Sequence, residues 1–244
     1  MTGPLAGVKV LDLTSVVSGP HAAMILCDQG ADVIKVEAPE GDIMRRGTMT
    51  PGFVSSNRGK RSIILDLKRP DALAVLRKLI AVSDVLVQNF RPGVAERLGF
   101  GEPAARAINP GLIYVSISGV GETGPYVRKR VYDPVIQALS GLADIQRDTD
   151  TGRPRMVRTL IADKTTALAA AQVPCAPVLT RQELLSDPQI AANGRIVECD
   201  QPALGRVRQA RPAARFDRTP SRAPGPAPVL GEHTQAVLRE LGLS

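Results

Sequence analysis

The first 37 residues contain the pattern that most constrains the fold, because two short apolar runs flank a turn and a helix. Residues 8–13 read Val-Lys-Val-Leu-Asp-Leu and are predicted to form a strand, and residues 14–20 contain Ser, Gly and Pro and are predicted to turn. Residues 22–28 are predicted to be helical as far as Gly30, and residues 32–37 to form a second strand. Strand, turn, helix and strand within about 30 residues is the span of a βαβ unit.

The same alternation continues along the chain. Residues 70–81 place Leu73, Leu76, Leu79 and Ile80 at helical spacing behind Pro70. Strands alternating with helices predict an α/β fold, Rossmann-like, with a mostly parallel sheet and helices on both faces. The remaining predicted elements are strands at 62–67, 85–88 and 112–118, a short helix at 93–98, a buried apolar helix at 133–142 and a small-residue helix at 164–172.

Charge and composition narrow the classes of molecule that we expect the chain to bind. The net charge is +7, yet aromatic residues make up 3% and Trp is absent, so the stacking platforms typical of single-strand nucleic-acid binders are scarce. The arginines of residues 206–211 are interpreted as a solvated, loop-like surface. A small polyanionic ligand therefore fits the charge better than nucleic acid.

The sequence shows no sign of a metal site or a membrane span. Its three cysteines are widely spaced and it has two histidines, whereas a structural zinc site needs about four ligands in paired spacing. No apolar run approaches the roughly 20 residues that span a bilayer, and the first residues do not resemble a secretory signal. We therefore expect a cytoplasmic protein with no metal and no membrane partner.

Residues 119–124 match Gly-x-Gly-x-x-Gly, the letters of a dinucleotide-binding loop. Pro125 and a charged run follow them, not the apolar helix that such a loop opens. An NAD-dependent enzyme is therefore a distant alternative.

A set of motifs in a fixed order resembles family III CoA transferases, the group that contains formyl-CoA transferase, carnitine-CoA transferase and α-methylacyl-CoA racemase. Each motif is weak by itself, but together they cover nearly the whole chain. They are Leu5-x-Gly-Val-Lys-Val-Leu-Asp-Leu-Thr, Ser18-Gly-Pro, the stretch from Leu26 through Gly-Ala-Asp-Val-Ile-Lys-Val-Glu to Asp42, Asn57-Arg-Gly-Lys-Arg-Ser, Leu65-Asp-Leu-Lys, Gln88-Asn-Phe-Arg-Pro-Gly, Tyr132-Asp-Pro, Val173-Pro-Cys-Ala-Pro-Val, Asp187-Pro-Gln and Leu230-Gly-Glu-His-Thr.

The resemblance implies that Asp163 is the nucleophile of a transfer that moves CoA from an acyl-CoA to a free carboxylic acid. A carboxylate suits this task because it is ionised at neutral pH and needs no separate base. The residues alone leave a simpler alternative open, in which Asp163 only caps the helix that follows it. The resemblance further implies CoA or acyl-CoA as substrate, no permanently bound cofactor, and a CoA site at Val16, Val17, Ser18, Leu65, Lys68, Asn89, Phe90, Arg97 and Arg130.

Two departures from the family pattern shape the prediction. Racemase members carry His where this chain has Tyr132, so transfer is favoured over racemisation. The middle of the family's chain, including the small domain, is absent, because Gln172 is followed directly by Val173.

We therefore expect a CoA-binding large domain at 1–172 and a C-terminal segment at 173–244 that returns to pack on it. The family's interlocked pairing implies a homodimer if the interlocking element survives. A non-catalytic homologue that binds CoA or self-associates remains the first alternative, and an acyl-CoA racemase the second.

Overall fold

A five-stranded parallel sheet forms the centre of the protein. The structure is a computed structural model, and it describes residues 3–119, 121–122, 125–127, 129, 131–169, 196–210 and 225–243. The sheet has the order β3-β2-β1-β4-β5, and each neighbouring pair is parallel. Its strands are β1 Lys9–Leu13, β2 Asp32–Glu37, β3 Arg61–Ile64, β4 Val85–Gln88 and β5 Ile113–Ser116.

The strand order reverses between β1 and β4. The chain moves outward from β1 to β2 and β3, then returns to the other side of β1 to form β4 and β5. In open parallel sheets of this kind, ligands bind beyond the carboxyl ends of the strands at the reversal point. The fold alone therefore directs attention to the loops that follow β1 and β4.

Helices cover both faces of the sheet, as predicted. Adjacent residues of β1 point to opposite faces: Val10 packs with Ala23 and Cys27, whereas Leu11 packs with Leu76 and Ile80. No helix in the described part of the chain is both long and apolar enough to cross a membrane. The helices are α1 Ser18–Asp28, α2 Thr50–Asn57, α3 Pro70–Ala81, α4 Val94–Arg97, α5 Glu102–Ile108, α6 Asp133–Leu139, α7 Leu142–Ile145, α8 Ile161–Ala169 and α9 Thr234–Glu240, with 3₁₀ turns at Ile43–Arg45 and Gly47–Met49.

Some predicted boundaries are confirmed and others are corrected. The strand predicted at 62–67 is Arg61–Ile64, the helix predicted at 133–142 ends at Leu139, and the helix predicted at 164–172 begins at Ile161. Helix α3 and strands β2 and β4 have the predicted bounds. Helix α1 begins at Ser18 rather than at residue 22, so part of the predicted turn is its first turn. Pro20 is tolerated there because the first four N–H groups of a helix have no intrahelical partner.

The prediction of a loop over the arginine-rich residues 206–211 is wrong for the described part of that stretch. Strands β6 Ile196–Gln201 and β7 Gly205–Ala210 form an antiparallel hairpin. Arg206 and Arg208 both pair with Glu198, at 2.8 and 3.1 Å. The charges that favoured a loop lie on the exposed face of a two-stranded sheet.

Residues near the C-terminus cover the free edge of β3. The His233 N–H donates to the Ser62 carbonyl at 2.9 Å, and the Ile64 N–H donates to Thr234 Oγ1 at 3.2 Å. Val237 of α9 is buried in the same core cluster as Leu11. The predicted boundary between residues 172 and 173, with the Val173 and Asp187 motifs, lies outside the described residues.

Candidate active site

A cleft of about 320 Å³ opens at the reversal point of the sheet. Its walls are the segments that follow three neighbouring strands, together with one face each of α6 and α8. The residues that line it include Ser15, Val16, Ser18, Asn89, Phe90, Arg91, Lys129, Tyr132, Asp133 and Asp163.

The turn after β1 is held by the side chain that follows β4. Asn89 Oδ1 accepts from the Ser15 N–H at 2.9 Å, and Asn89 Nδ2 donates to the Ser15 carbonyl at 2.8 Å. An amide side chain is suited to this pairing, because it carries one acceptor and one donor side by side. The contact fixes the distance between the two loops that form the floor of the cleft.

A buried ionic layer lies beneath the same turn. Lys60 Nζ donates to Asp12 Oδ2 at 2.8 Å, to Asn57 Oδ1 at 2.9 Å and to the Pro20 carbonyl at 2.8 Å. Burial by itself raises the pKa of the Asp12 carboxyl, but the charges of Lys60 and Lys35 outweigh it and lower that pKa to about 2. Asp12 is therefore ionised at neutral pH, and it also accepts from the Thr14 N–H at 2.9 Å.

The candidate nucleophile, Asp163, lies in the first turn of α8 and lines the cleft. Asp163 is half-buried, and burial raises the pKa of its carboxyl above the ordinary value. The nearby charge of Asp133 raises that pKa further, whereas a hydrogen bond from Ser18 lowers it. Asp163 belongs to the helix rather than preceding it, so it does not occupy the N-cap position that the simpler alternative proposed.

Asp133 holds the start of α8 in place. It is 4% exposed, and its Oδ2 accepts from the Asp163 N–H at 3.1 Å while its Oδ1 accepts from Gln137 Nε2 at 2.5 Å. Gln137 in turn accepts from the Val157 N–H at 2.8 Å. Among the described residues, no Lys or Arg forms an ion pair with Asp133. Within the part of the chain that the structure describes, its charge therefore acts on Asp163 without a cationic partner.

The prediction that α6 buries an apolar face is wrong. The buried side chains are Asp133 and Gln137, whereas Val135 is 39% and Leu139 is 50% exposed. Apolar spacing alone did not reveal that the polar side of the helix contacts α8. Tyr132, which precedes α6, is 68% exposed at the mouth of the cleft.

The effect of the Asp133 charge on the pKa of Asp163 gives a prediction about pH. An acid whose pKa is raised loses its proton at higher pH, so chemistry that needs the Asp163 carboxylate declines earlier as the pH falls. Asp133→Asn removes the neighbouring charge, and we expect the acidic limb of the rate profile to shift to lower pH. The measurement is the single-turnover rate of an acyl-CoA between pH 4 and pH 8; an unmoved limb would contradict the electrostatic coupling.

Four of the predicted CoA-site residues lie in the cleft with Asp163: Val16, Ser18, Asn89 and Phe90. Four others, all of them described residues, do not line it. Val17 is buried beside Phe53 and Val54, and Leu65 is packed in the core. Lys68 and Arg97 are exposed on the surface outside the cleft, and Arg130 lies outside the described residues.

Sequence reasoning missed two cations of the cleft, Arg91 and Lys129. Arg91 follows β4 within the Gln88–Gly93 motif and lines the cleft. Because ligands bind beyond the carboxyl ends of strands at the reversal point, its position directly after β4 was the signal that could have identified it. The Lys129 ammonium lies 3.9 Å from the ring centre of Tyr126. Among the described residues, no group of three or more His, Cys, Asp or Glu side chains is arranged to hold a metal ion.

Comparison with known proteins assigns this chain to a family. The succinate–glutarate CoA-transferase of Agrobacterium fabrum is 41% identical over 174 residues, which cover 66% of this chain and 43% of that protein. The human succinyl-CoA:glutarate CoA-transferase is 43% identical over 168 residues, 65% of this chain and 38% of that one. The acetyl-CoA:oxalate CoA-transferase of Acetobacter aceti is 45% identical over 146 residues, 57% of this chain and 38% of that one. The chain thus spans less than half the length of these curated relatives.

The fold and the family agree. The crystal structure of a CAIB/BAIF family protein from Brucella suis matches with a TM-score of 0.86 at 23% identity, covering 99% of this chain and 100% of that one. The family model described as CoA-transferase family III matches residues 5–172 and 166–234. The chain is therefore a member of CoA-transferase family III.

Proposed function

We propose that this chain moves CoA from an acyl-CoA to a free carboxylate through a covalent intermediate on Asp163. The observation that carries the proposal is a half-buried carboxylate of raised pKa that lines the cleft at the reversal point of the sheet. Such a carboxylate is still an ionised nucleophile above its pKa, and partial desolvation makes it more reactive than one in water.

The reaction balances without a proton donor or a metal. An oxygen of Asp163 attacks the thioester carbonyl and displaces the CoA thiolate, which leaves a mixed anhydride. The thiolate then attacks the Asp163 carbonyl carbon and releases the first acid, which leaves an aspartyl-CoA thioester. The acceptor carboxylate repeats both steps in reverse order, and Asp163 is freed as the new acyl-CoA departs.

The residues around Asp163 have separate roles in this scheme. Ser18 donates to the carboxylate and orients it, and Asp133 fixes the backbone of Asp163. CoA binds as a substrate along Val16, Ser18, Asn89 and Phe90, with its phosphates toward cations, since phosphates favour charge-assisted donors. We assign this charge-bearing role to Arg91 and Lys129 in the cleft, to Lys68 and Arg97 outside it and to Arg130, while Val17 and Leu65 support the site from the core.

The acceptor class is proposed from the relatives. The relatives above are named for succinate, glutarate and oxalate, which are short dicarboxylates. We propose a short dicarboxylate as acceptor for this chain.

A second candidate function is a non-catalytic homologue that binds CoA or pairs with another chain. The observation that favours it is the exposed apolar surface of α6, α7 and the residue before α6. The exposed apolar side chains Tyr132, Leu139 and Ile145 around α6 and α7 suit a homodimer or a pairing with a longer relative. A racemase is not favoured, because Tyr132 stands where racemases carry their histidine.

A transfer assay separates these functions. Purified protein is mixed with succinyl-CoA and glutarate, malate or oxalate, and the CoA thioesters are separated by chromatography. We expect a new thioester of the acceptor that appears in proportion to the protein. Binding of CoA without any new thioester would move the assignment to the non-catalytic homologue.

A further inference from the structure

Val16 has a backbone conformation that its side chain disfavours. Its φ is +71°, and it is the one residue other than glycine with a positive φ in the described part of the chain. A β-branched side chain in this left-handed region is a genuine outlier, because its Cβ crowds the backbone. Val16 lines the cleft, so the unusual conformation shapes the wall of the candidate active site.

A buried ion pair contacts the turn on both sides of Ser15. The Val16 N–H faces the carboxylate of Asp42, 3.4 and 3.3 Å from its two oxygens. Lys35 Nζ lies 3.3 Å from Asp42 Oδ2 and donates to the Thr14 carbonyl at 2.8 Å. Asp42 also accepts from the Met44 N–H at 3.0 Å. The side chains of the pair are 0% and 1% exposed, so water does not compete for these contacts.

We propose that Lys35 and Asp42 are positioning residues that hold Val16 in its left-handed conformation and thereby keep the cleft in the shape that binds CoA. This inference rests on the proposed function, since it assigns the cleft to CoA. Neither side chain lines the cleft, so both act through the turn. Asn89 holds the neighbouring Ser15 from the opposite side. Val16 itself is held by Asp42 of the ion pair.

The strain provides a test that an ordinary structural role does not pass. Glycine adopts a positive φ at no steric cost, so Val16→Gly removes the need for the pair to enforce that conformation. If Asp42 acts by holding Val16, its replacement should weaken CoA binding when Val16 is present and have little effect when Val16→Gly is present. A pair that only supports the fold would show the same effect in both backgrounds.

The experiment measures CoA binding by calorimetry for the native chain, Asp42→Asn, Val16→Gly and the double variant. We expect Asp42→Asn to raise the Kd of CoA about tenfold, because the binding-competent turn becomes a minority population. Added to Val16→Gly, the same change should alter Kd by less than about twofold. Asp32→Asn is the matched control, since Asp32 pairs with Arg61 at the other end of β2; we expect its Kd to equal the native value.

Each result supports or overturns the inference about Lys35 and Asp42. An equal loss of affinity in both backgrounds, or no loss in Asp42→Asn, overturns this inference while the proposed function stands. A native chain that does not bind CoA overturns the proposed function and this inference with it. If Asp42→Asn does not fold alone, the double variant decides: a folded double variant with the Kd of Val16→Gly supports the inference, and one that fails to fold overturns it.

Discussion

Asp163→Ala is expected to lower CoA transfer by about a thousandfold or more, because it removes the atom that carries the acyl group and CoA. Asp133 is the other carboxylate among the described residues that line the cleft, and it cannot substitute. It is 4% exposed, and both of its oxygens accept hydrogen bonds from neighbours. The measurement is the rate at which the acceptor thioester forms, with substrate concentrations well above those that saturate the native chain.

A matched aspartate controls for the loss of charge. Asp144 on α7 is exposed and pairs with Arg147 at the surface, so Asp144→Ala should leave the transfer rate within about twofold of native. Transfer by Asp163→Ala at more than about a third of the native rate would contradict the assignment of Asp163 as nucleophile.

Lys60→Met is expected to lower the free energy of unfolding by about 3–5 kcal/mol, the usual cost of leaving one member of a buried ion pair alone. Lys60 and Asp12 both have side chains that are 0% exposed, and Lys60 binds three acceptors at once. The variant leaves the Asp12 carboxylate without its closest cation in the sheet, directly below the β1 turn. Urea unfolding at pH 7 measures the effect.

The same substitution at an exposed lysine isolates the contribution of burial. Lys78 on α3 is exposed, so Lys78→Met should change the free energy of unfolding by no more than about 0.5 kcal/mol. A loss below about 1 kcal/mol in Lys60→Met would show that the ionic layer contributes little to holding β1 and the turn after it.

The regular part of the fold follows from local sequence patterns. Residues 70–81 carry a helical apolar period behind a proline, and residues 85–88 form an uninterrupted β-favouring run. Both elements have the predicted bounds, because local preference and tertiary burial agree there. The βαβ start likewise predicted the parallel sheet from which the position of the cleft follows.

Other features depend on contacts that local patterns do not show. Val16 and Val17 are adjacent and chemically identical, yet one lines the cleft and the other packs beside Phe53. The left-handed φ of Val16 separates them, and a sequence gives no warning of it, since Gly and Asn are the residues that normally signal that conformation. The role of Asp133 could not be predicted for a similar reason, because it depends on a contact with α8, which lies 30 residues further along the chain.

The loop prediction for the arginines of the hairpin was wrong for a physical reason. Short strands with one exposed face carry charges at every second position, and Arg206 and Arg208 have that spacing. Without knowledge of the partner strand, the spacing resembles a charged loop.

The most direct test of the account is the intact mass of the protein after brief exposure to succinyl-CoA, followed by peptide mapping of any adduct. We expect an added mass equal to a succinyl group or to CoA less one water, located on Asp163 and absent from Asp163→Ala. An adduct on another residue, or transfer of CoA to an acceptor with no adduct on Asp163 at any time point, would contradict it.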